Sequence, residues 1–234
     1  MIEESVREQL VDSMMQIIDQ ERMIEGSKLA LAGHADFNLF DAFRIFDVMG
    51  RGCLTLSELY NGLVKHLGLV PSQDELELFF QRYDRDMDGS LRFTEFCDAF
   101  IPLDPHIGQV LNGRQSMHRA DVYMSGPPEQ YFLPITIMDL KELFRTHFRV
   151  EVLAEDMRVQ LERNPLFELP MAFQLIERRG KIGYQEVRNT LEMRGVMAAD
   201  RDLTAILNKF EHDTQGNVAK TAFLAEMLPK LPHK

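Results

Sequence analysis

The chain has 234 residues, 45% of them hydrophobic and 27% charged, which is the make-up of an ordinary globular protein with core enough for two domains. Its formal net charge of −11 argues against nucleic-acid binding, since such a surface repels phosphate. Only Cys53 and Cys97 carry thiols, and no apolar run approaches the roughly 20 residues that a membrane span needs.

In chain order, residues 1–35 form an amphipathic helix with Val6, Leu10, Met14, Ile17 and Ile24 on its apolar stripe; the acidic start (MIEESVREQL) is unlike a secretory leader and suggests a cytoplasmic address. Residues 36–101 follow as two helix–loop–helix units. The first loop is 47–58, and Leu59, Leu63 and Leu67 mark the helix behind it. Ser72 and Glu75 make a capping box, after which Leu76, Phe79, Phe80 and Tyr83 line one helical face up to the second loop, 84–95. Residues 102–135 hold Pro102, Pro105, Pro127, Pro128 and Pro134 and read as an irregular linker. A second amphipathic helix spans 136–164. Residues 165–234 then carry two more units, with loops at 177–186 and 211–222.

The two halves repeat. Phe37, Leu39, Ala42 and Phe43 recur as Phe167, Leu169, Ala172 and Phe173, at an offset of 130. Asp86, Gly89, Thr94 and Phe96 recur as Asp213, Gly216, Thr221 and Phe223, at an offset of 127. Such sustained register marks a tandem duplication. The expected fold is all-α, with two lobes of paired units, each preceded by a long helix.

The loop Asp84-Arg-Asp-Met-Asp-Gly-Ser-Leu-Arg-Phe-Thr-Glu95 resembles the calcium loop of the EF-hand superfamily, and the paired units resemble the two lobes of calmodulin-like proteins. The resemblance implies one Ca2+ held by Asp84, Asp86 and Asp88, by the Ser90 carbonyl, and by both oxygens of Glu95, with Gly89 at the sharp bend. Calcium is a hard cation that takes six to eight oxygens at roughly 2.3–2.6 Å, which is why alternating carboxylates suit it. Arg85 and Arg92 place positive charge nearby and weaken the site.

The other loops depart from that pattern. Loop 47–58 has Met49 and Arg51 at ligand positions; loop 177–186 is short and basic; loop 211–222 ends in Ala222 in place of the closing glutamate. No ion is expected in them. Leu54, Leu91, Ile182 and Val218 nevertheless persist after each central glycine, where EF-hand pairs join their loops by a short strand. Met14, Met15, Met138, Met171, Met193 and Met197 occupy apolar positions and are expected to pack in the core, while most histidines are expected at the surface.

No catalytic constellation is visible, so the resemblance implies a non-enzymatic interaction protein. Its partners would be amphipathic helices or cytoskeletal filaments. The adaptor reading stands ahead of the alternative, a sensor whose N-terminal lobe opens when the 84–95 loop fills. The helix before each pair, the linker and the Pro-Lys-Leu-Pro tail also resemble two-lobed EF-hand proteins of ciliates and related protists, which implies a cytoskeletal or ciliary setting.

Overall fold

A computed structural model describes residues 2–116 and 127–232. These residues carry α-helices throughout and, among the described residues, only four short strands, in agreement with an all-α fold. The first half contains α1 (Ile2–Ala32), α2 (Leu39–Phe46), β1 (Cys53–Thr55), α3 (Leu56–Leu67), α4 (Gln73–Tyr83), β2 (Ser90–Arg92), α5 (Phe93–Asp98) and α6 (Pro105–Gly113). The second contains α7 (Pro134–Arg163), α8 (Leu169–Ile176), β3 (Lys181–Ile182), α9 (Tyr184–Glu192), α10 (Asp200–Asn208), β4 (Val218–Ala219) and α11 (Lys220–Met227).

Local chemistry sets the boundaries. The Ser72 hydroxyl and Glu75 carboxylate form the expected capping box at α4, and Thr55 with Glu58 forms another at α3. Gly68 ends α3 in the left-handed region (φ 58°), where a side chain would be strained. Strands β1 and β2 pair antiparallel with Leu54 opposite Leu91, and β3 and β4 pair with Ile182 opposite Val218. The four recurring apolar residues therefore form the strand joints between paired loops.

The chain divides into two compact units, a contiguous one (23–152) and a split one (1–22 with 153–234). This differs from a simple division into lobes with leading helices, because α1 and α7 each contribute to both. In the contiguous unit, Leu140, Leu143, Phe144 and Phe148 from the first half of α7 complete the core of the 36–101 pair. Phe144 lies 5.5 Å from Phe46, 5.8 Å from Phe79 and 5.6 Å from Phe100 between ring centroids. In the split unit, Val6, Leu10, Met14, Ile17 and Ile18 from the first half of α1 pack with Phe173, Leu191, Leu203 and Phe223 of the second pair. Burying each such side chain is worth roughly 1.5–3 kcal/mol, so these helices are structural members of the cores they enter.

The segment 102–135 is not wholly irregular. Asp104 caps α6 through the N–H groups of His106 and Ile107, with Pro105 in the first turn. Arg114 then donates to the carbonyls of Ala32, His34 and Phe37, closing the end of α1. Residues 117–126 of that segment lie outside the described residues. The core assignment of the methionines is corrected in part: Met14 is buried, but Met138, Met193 and Met197 are 64%, 69% and 83% exposed. Met193 and Met197 lie beyond the end of α9, around Gly195 with φ 74°, where helical periodicity no longer applies.

Candidate metal centre

The 84–95 loop opens directly from the end of α4. Asp84, the first residue beyond that helix, is buried and accepts the N–H groups of Asp88 (3.1 Å) and Gly89 (2.9 Å). Those bonds pull the loop into a tight turn in which Met87 (φ 54°) and Gly89 (φ 81°) are left-handed. Glycine adopts that conformation without strain, which explains its place at the bend. The turn brings one carboxylate oxygen each from Asp84, Asp86 and Asp88 within 4.8 Å of one another. Asp86 and Asp88 face solvent, so a cation has access.

Glu95 stands apart from that trio. It is buried on α5, and its two oxygens accept the N–H groups of Arg85 and Arg92, each at 2.9 Å. It thereby ties the beginning of the loop to its exit. Ser90 donates its N–H (2.9 Å) and hydroxyl (2.6 Å) to Asp88. The Ser90 hydroxyl, with the Ser90 N–H and Arg92, holds the Asp88 carboxyl below its ordinary range despite some opposing desolvation. Arg92 bridges Asp86 and Asp88 at 2.8 Å each, whereas Arg85 pairs with Asp98 at 3.0 Å. Arg92 is thus an internal counter-ion, a role that goes beyond the nearby charge the sequence suggested.

Three clustered carboxylates of like charge repel unless a cation neutralises them, and this oxygen donor set fits Ca2+. Asp84, Asp86 and Asp88 would hold the ion. Glu95 would close the shell by giving up its bonds to the loop backbone, and Arg92 would swing away. The ion would supply the positive charge that Arg92 otherwise provides.

The remaining loops engage several of their carboxylates internally. In 47–58, Asp47 accepts the N–H groups of Arg51 and Gly52, and the Arg51 guanidinium meets both oxygens of Glu58 at 2.6 and 2.7 Å. Burial alone would raise the Glu58 pKa, but the Thr55 N–H and hydroxyl together with Arg51 reverse that and lower it. In 177–186, Arg178 and Lys181 pair through their backbones around Arg179 (φ 56°) and Gly180 (φ 79°), a two-residue hairpin turn. Lys181 crosses to Asp213 of the fourth loop at 2.7 Å and is the main reason that the Asp213 carboxyl titrates well below its ordinary range. Arg51 and Lys181 supply cationic groups within the protein. The basic residues were legible in the sequence; their carboxylate partners were not.

Two further residues brace the intact loop, and the sequence pointed to neither. His147 of α7 is fully buried, an exception among the described histidines. It bonds to the Ala99 carbonyl (2.9 Å) and the Tyr83 hydroxyl (3.2 Å). Lys28 of α1 donates to the carbonyls of Asp98 (2.8 Å), the last residue of α5, and Ile101 (3.2 Å), just beyond it. Cys97, on α5, is buried, and that burial, with Asp98 beside it, pushes its thiol up to about 12, an inert setting.

Residues 36–101 match the EF-hand domain pair. The chain is similar to "Probable calcium-binding protein CML11" of Oryza sativa subsp. japonica, 44% identical over 64 residues, 27% of this chain and 30% of that protein. It is similar to "Calcium-binding protein 7" of Homo sapiens, 41% identical over 62 residues, 26% of this chain and 28% of that one. It is also similar to "Probable calcium-binding protein CML18" of Arabidopsis thaliana, 41% identical over 81 residues, 33% of this chain and 48% of that protein. The chain thus spans between 28% and 48% of the length of these relatives.

Proposed function

We propose that this chain is a non-enzymatic calcium-binding adaptor whose ion, at Asp84–Glu95, fastens one lobe rather than opening it. The observation that carries this reading is that the first half of α7 already fills the core of the 36–101 pair. An external helix could enter that core only by expelling Leu140, Phe144 and Phe148, so partners engage the outer surface. This modifies the sequence-based picture of lobes gripping partner helices. Protein partners of the cytoskeleton or cilium, in a cytoplasmic setting, fit an acidic chain in which no described helix is long and apolar enough to cross a membrane. The sensor reading draws support from Glu95, which couples ion binding to α5 directly.

The test is a calorimetric calcium titration of the full chain, with a hydrophobic dye followed in parallel. A single bound ion without a rise in dye signal supports the adaptor; a calcium-dependent rise supports the sensor. Glu95→Gln is expected to abolish the ion, and Glu58→Gln to leave the stoichiometry unchanged. Loss of a second ion in Glu58→Gln would show that the first loop is a site too.

A further inference from the structure

In an EF-hand the angle between the entering and exiting helices decides where the closing glutamate sits relative to the first carboxylates. Here α4 enters the 84–95 loop and α5 leaves it, so anything touching the ends of both helices acts on the ion site. His147 does so. Tyr83, the last residue of α4, immediately precedes Asp84. Ala99 is the cap residue of α5, four positions after Glu95. The Ala99 carbonyl can only accept, so Nε2 of His147 carries the proton and donates to it at 2.9 Å; Nδ1 is then left to accept from the Tyr83 hydroxyl at 3.2 Å.

The imidazole is also held edge-on to the rings of Phe79 (5.5 Å) and Tyr83 (5.4 Å), both on α4. Its neighbour on the same helix, Phe144, packs against Phe100 just beyond α5. One buried ring on α7 therefore connects both flanks of the loop. With that clasp in place, the trio of aspartates is already drawn together and Glu95 is already buried at the loop's base. With three of its ligands gathered before the ion arrives, the site loses less ordering entropy on binding.

We propose that His147 is a positioning residue for the calcium loop, clasping α4 and α5 in a metal-ready arrangement so that calcium binding and the seating of α7 reinforce each other. This rests on calcium occupying the 84–95 loop. By reciprocity, whatever α7 contributes to calcium affinity, calcium returns to the docking of α7.

The experiment titrates calcium into the full chain by calorimetry, for the wild type, His147→Phe, His147→Gln and Glu95→Gln. His147→Phe keeps a ring against Phe79 but loses both hydrogen bonds, and is expected to weaken calcium by roughly 5- to 20-fold. His147→Gln places an amide N–H toward the Ala99 carbonyl and is expected to recover most of that loss. In the wild type, calcium is expected to slow hydrogen exchange of the α7 amides around Phe144–Phe148, and in His147→Phe this response is expected to vanish. A merely structural histidine would lower thermal stability without moving either calcium readout. Wild-type or tighter calcium affinity in a folded His147→Phe protein overturns the proposal. Should that variant not fold, Tyr83→Phe, which removes only the hydroxyl, decides: a loss of about threefold supports the clasp, and unchanged affinity overturns it. Calcium binding that persists in Glu95→Gln would instead overturn the ion site itself.

Discussion

Replacing Phe144 by alanine removes a fully buried ring that touches four others, Phe46, Phe79, Phe100 and Phe148, at centroid distances of 5.5–6.2 Å. Truncating a buried Phe to Ala costs about 3–5 kcal/mol, and edge-to-face partners add to the transfer term. We expect a loss in that range, felt in the unit spanning 23–152, because the ring belongs to its core. Were α7 an appendage bearing its apolar face to solvent or to a partner, the change would stay within about 0.5 kcal/mol. The assay is urea denaturation of the full chain followed by far-UV circular dichroism, since the sequence has no tryptophan to report by fluorescence. Met138→Ala, on the same helix but 64% exposed, provides the control and should cost no more than about 0.5 kcal/mol. A Phe144→Ala loss below about 1 kcal/mol would refute the packing on which the adaptor reading depends.

Arg92→Gln removes the guanidinium that bridges Asp86 and Asp88, and is expected to tighten calcium about threefold at low salt, with the gain shrinking as ionic strength rises. A weaker site in that variant, measured by calorimetry, would mean that Arg92 shapes the loop rather than competing for it. Gly62→Ala places a Cβ against the ring of Phe46, with the Cε1 atom also at 3.1 Å, and is expected to destabilise the unit by about 1–3 kcal/mol in the same urea assay. Burial, helped by the charges of Lys28 and Arg82 and opposed by the Ala99 bond and Glu151, drives the His147 pKa well below its ordinary value. The folded protein therefore keeps this ring neutral, while the unfolded chain protonates it below about pH 6.5. Its contribution is fully present above that pH and fades as pH falls, by up to about 1.4 kcal/mol per unit. His147→Gln is expected to flatten the stability profile between about pH 6.5 and 5, and an unchanged slope would contradict the neutral assignment.

Much of this was legible because local signals and tertiary demands agreed. Ser72 with Glu75 marked the start of α4, and the aspartates of the second loop announced an oxygen-rich turn. Leu54, Leu91, Ile182 and Val218 marked the strand joints. Helix α6 was also announced, by Asp104 as a cap and Pro105 in the first turn, but the surrounding prolines and glycines obscured it. What could not be read was partnership across the chain. The periodicity of Leu140, Phe144 and Phe148 states that one face of α7 is buried, but not against which pair of units. A single histidine carries no periodicity at all, so the bonds of His147 to Tyr83 and Ala99 leave no trace in the sequence. The pairing of Arg51 with Glu58 and of Lys181 with Asp213 likewise depends on geometry that spacing alone does not encode.

The division of α1 and α7 between two units bears on how the protein is made. Residues 23–152 form a continuous stretch and can close as soon as the first half of α7 has left the ribosome. The segment 1–22 is synthesised before that stretch, yet its apolar residues find their core only when residues 153–234 arrive. Val6, Leu10 and Ile17 therefore wait, unsatisfied, until residues 153–234 have been made, and loop closure over that distance makes the split unit the slower to form. A chaperone that shelters this amphipathic segment, or a premature stop that strands it, would act on the same vulnerability.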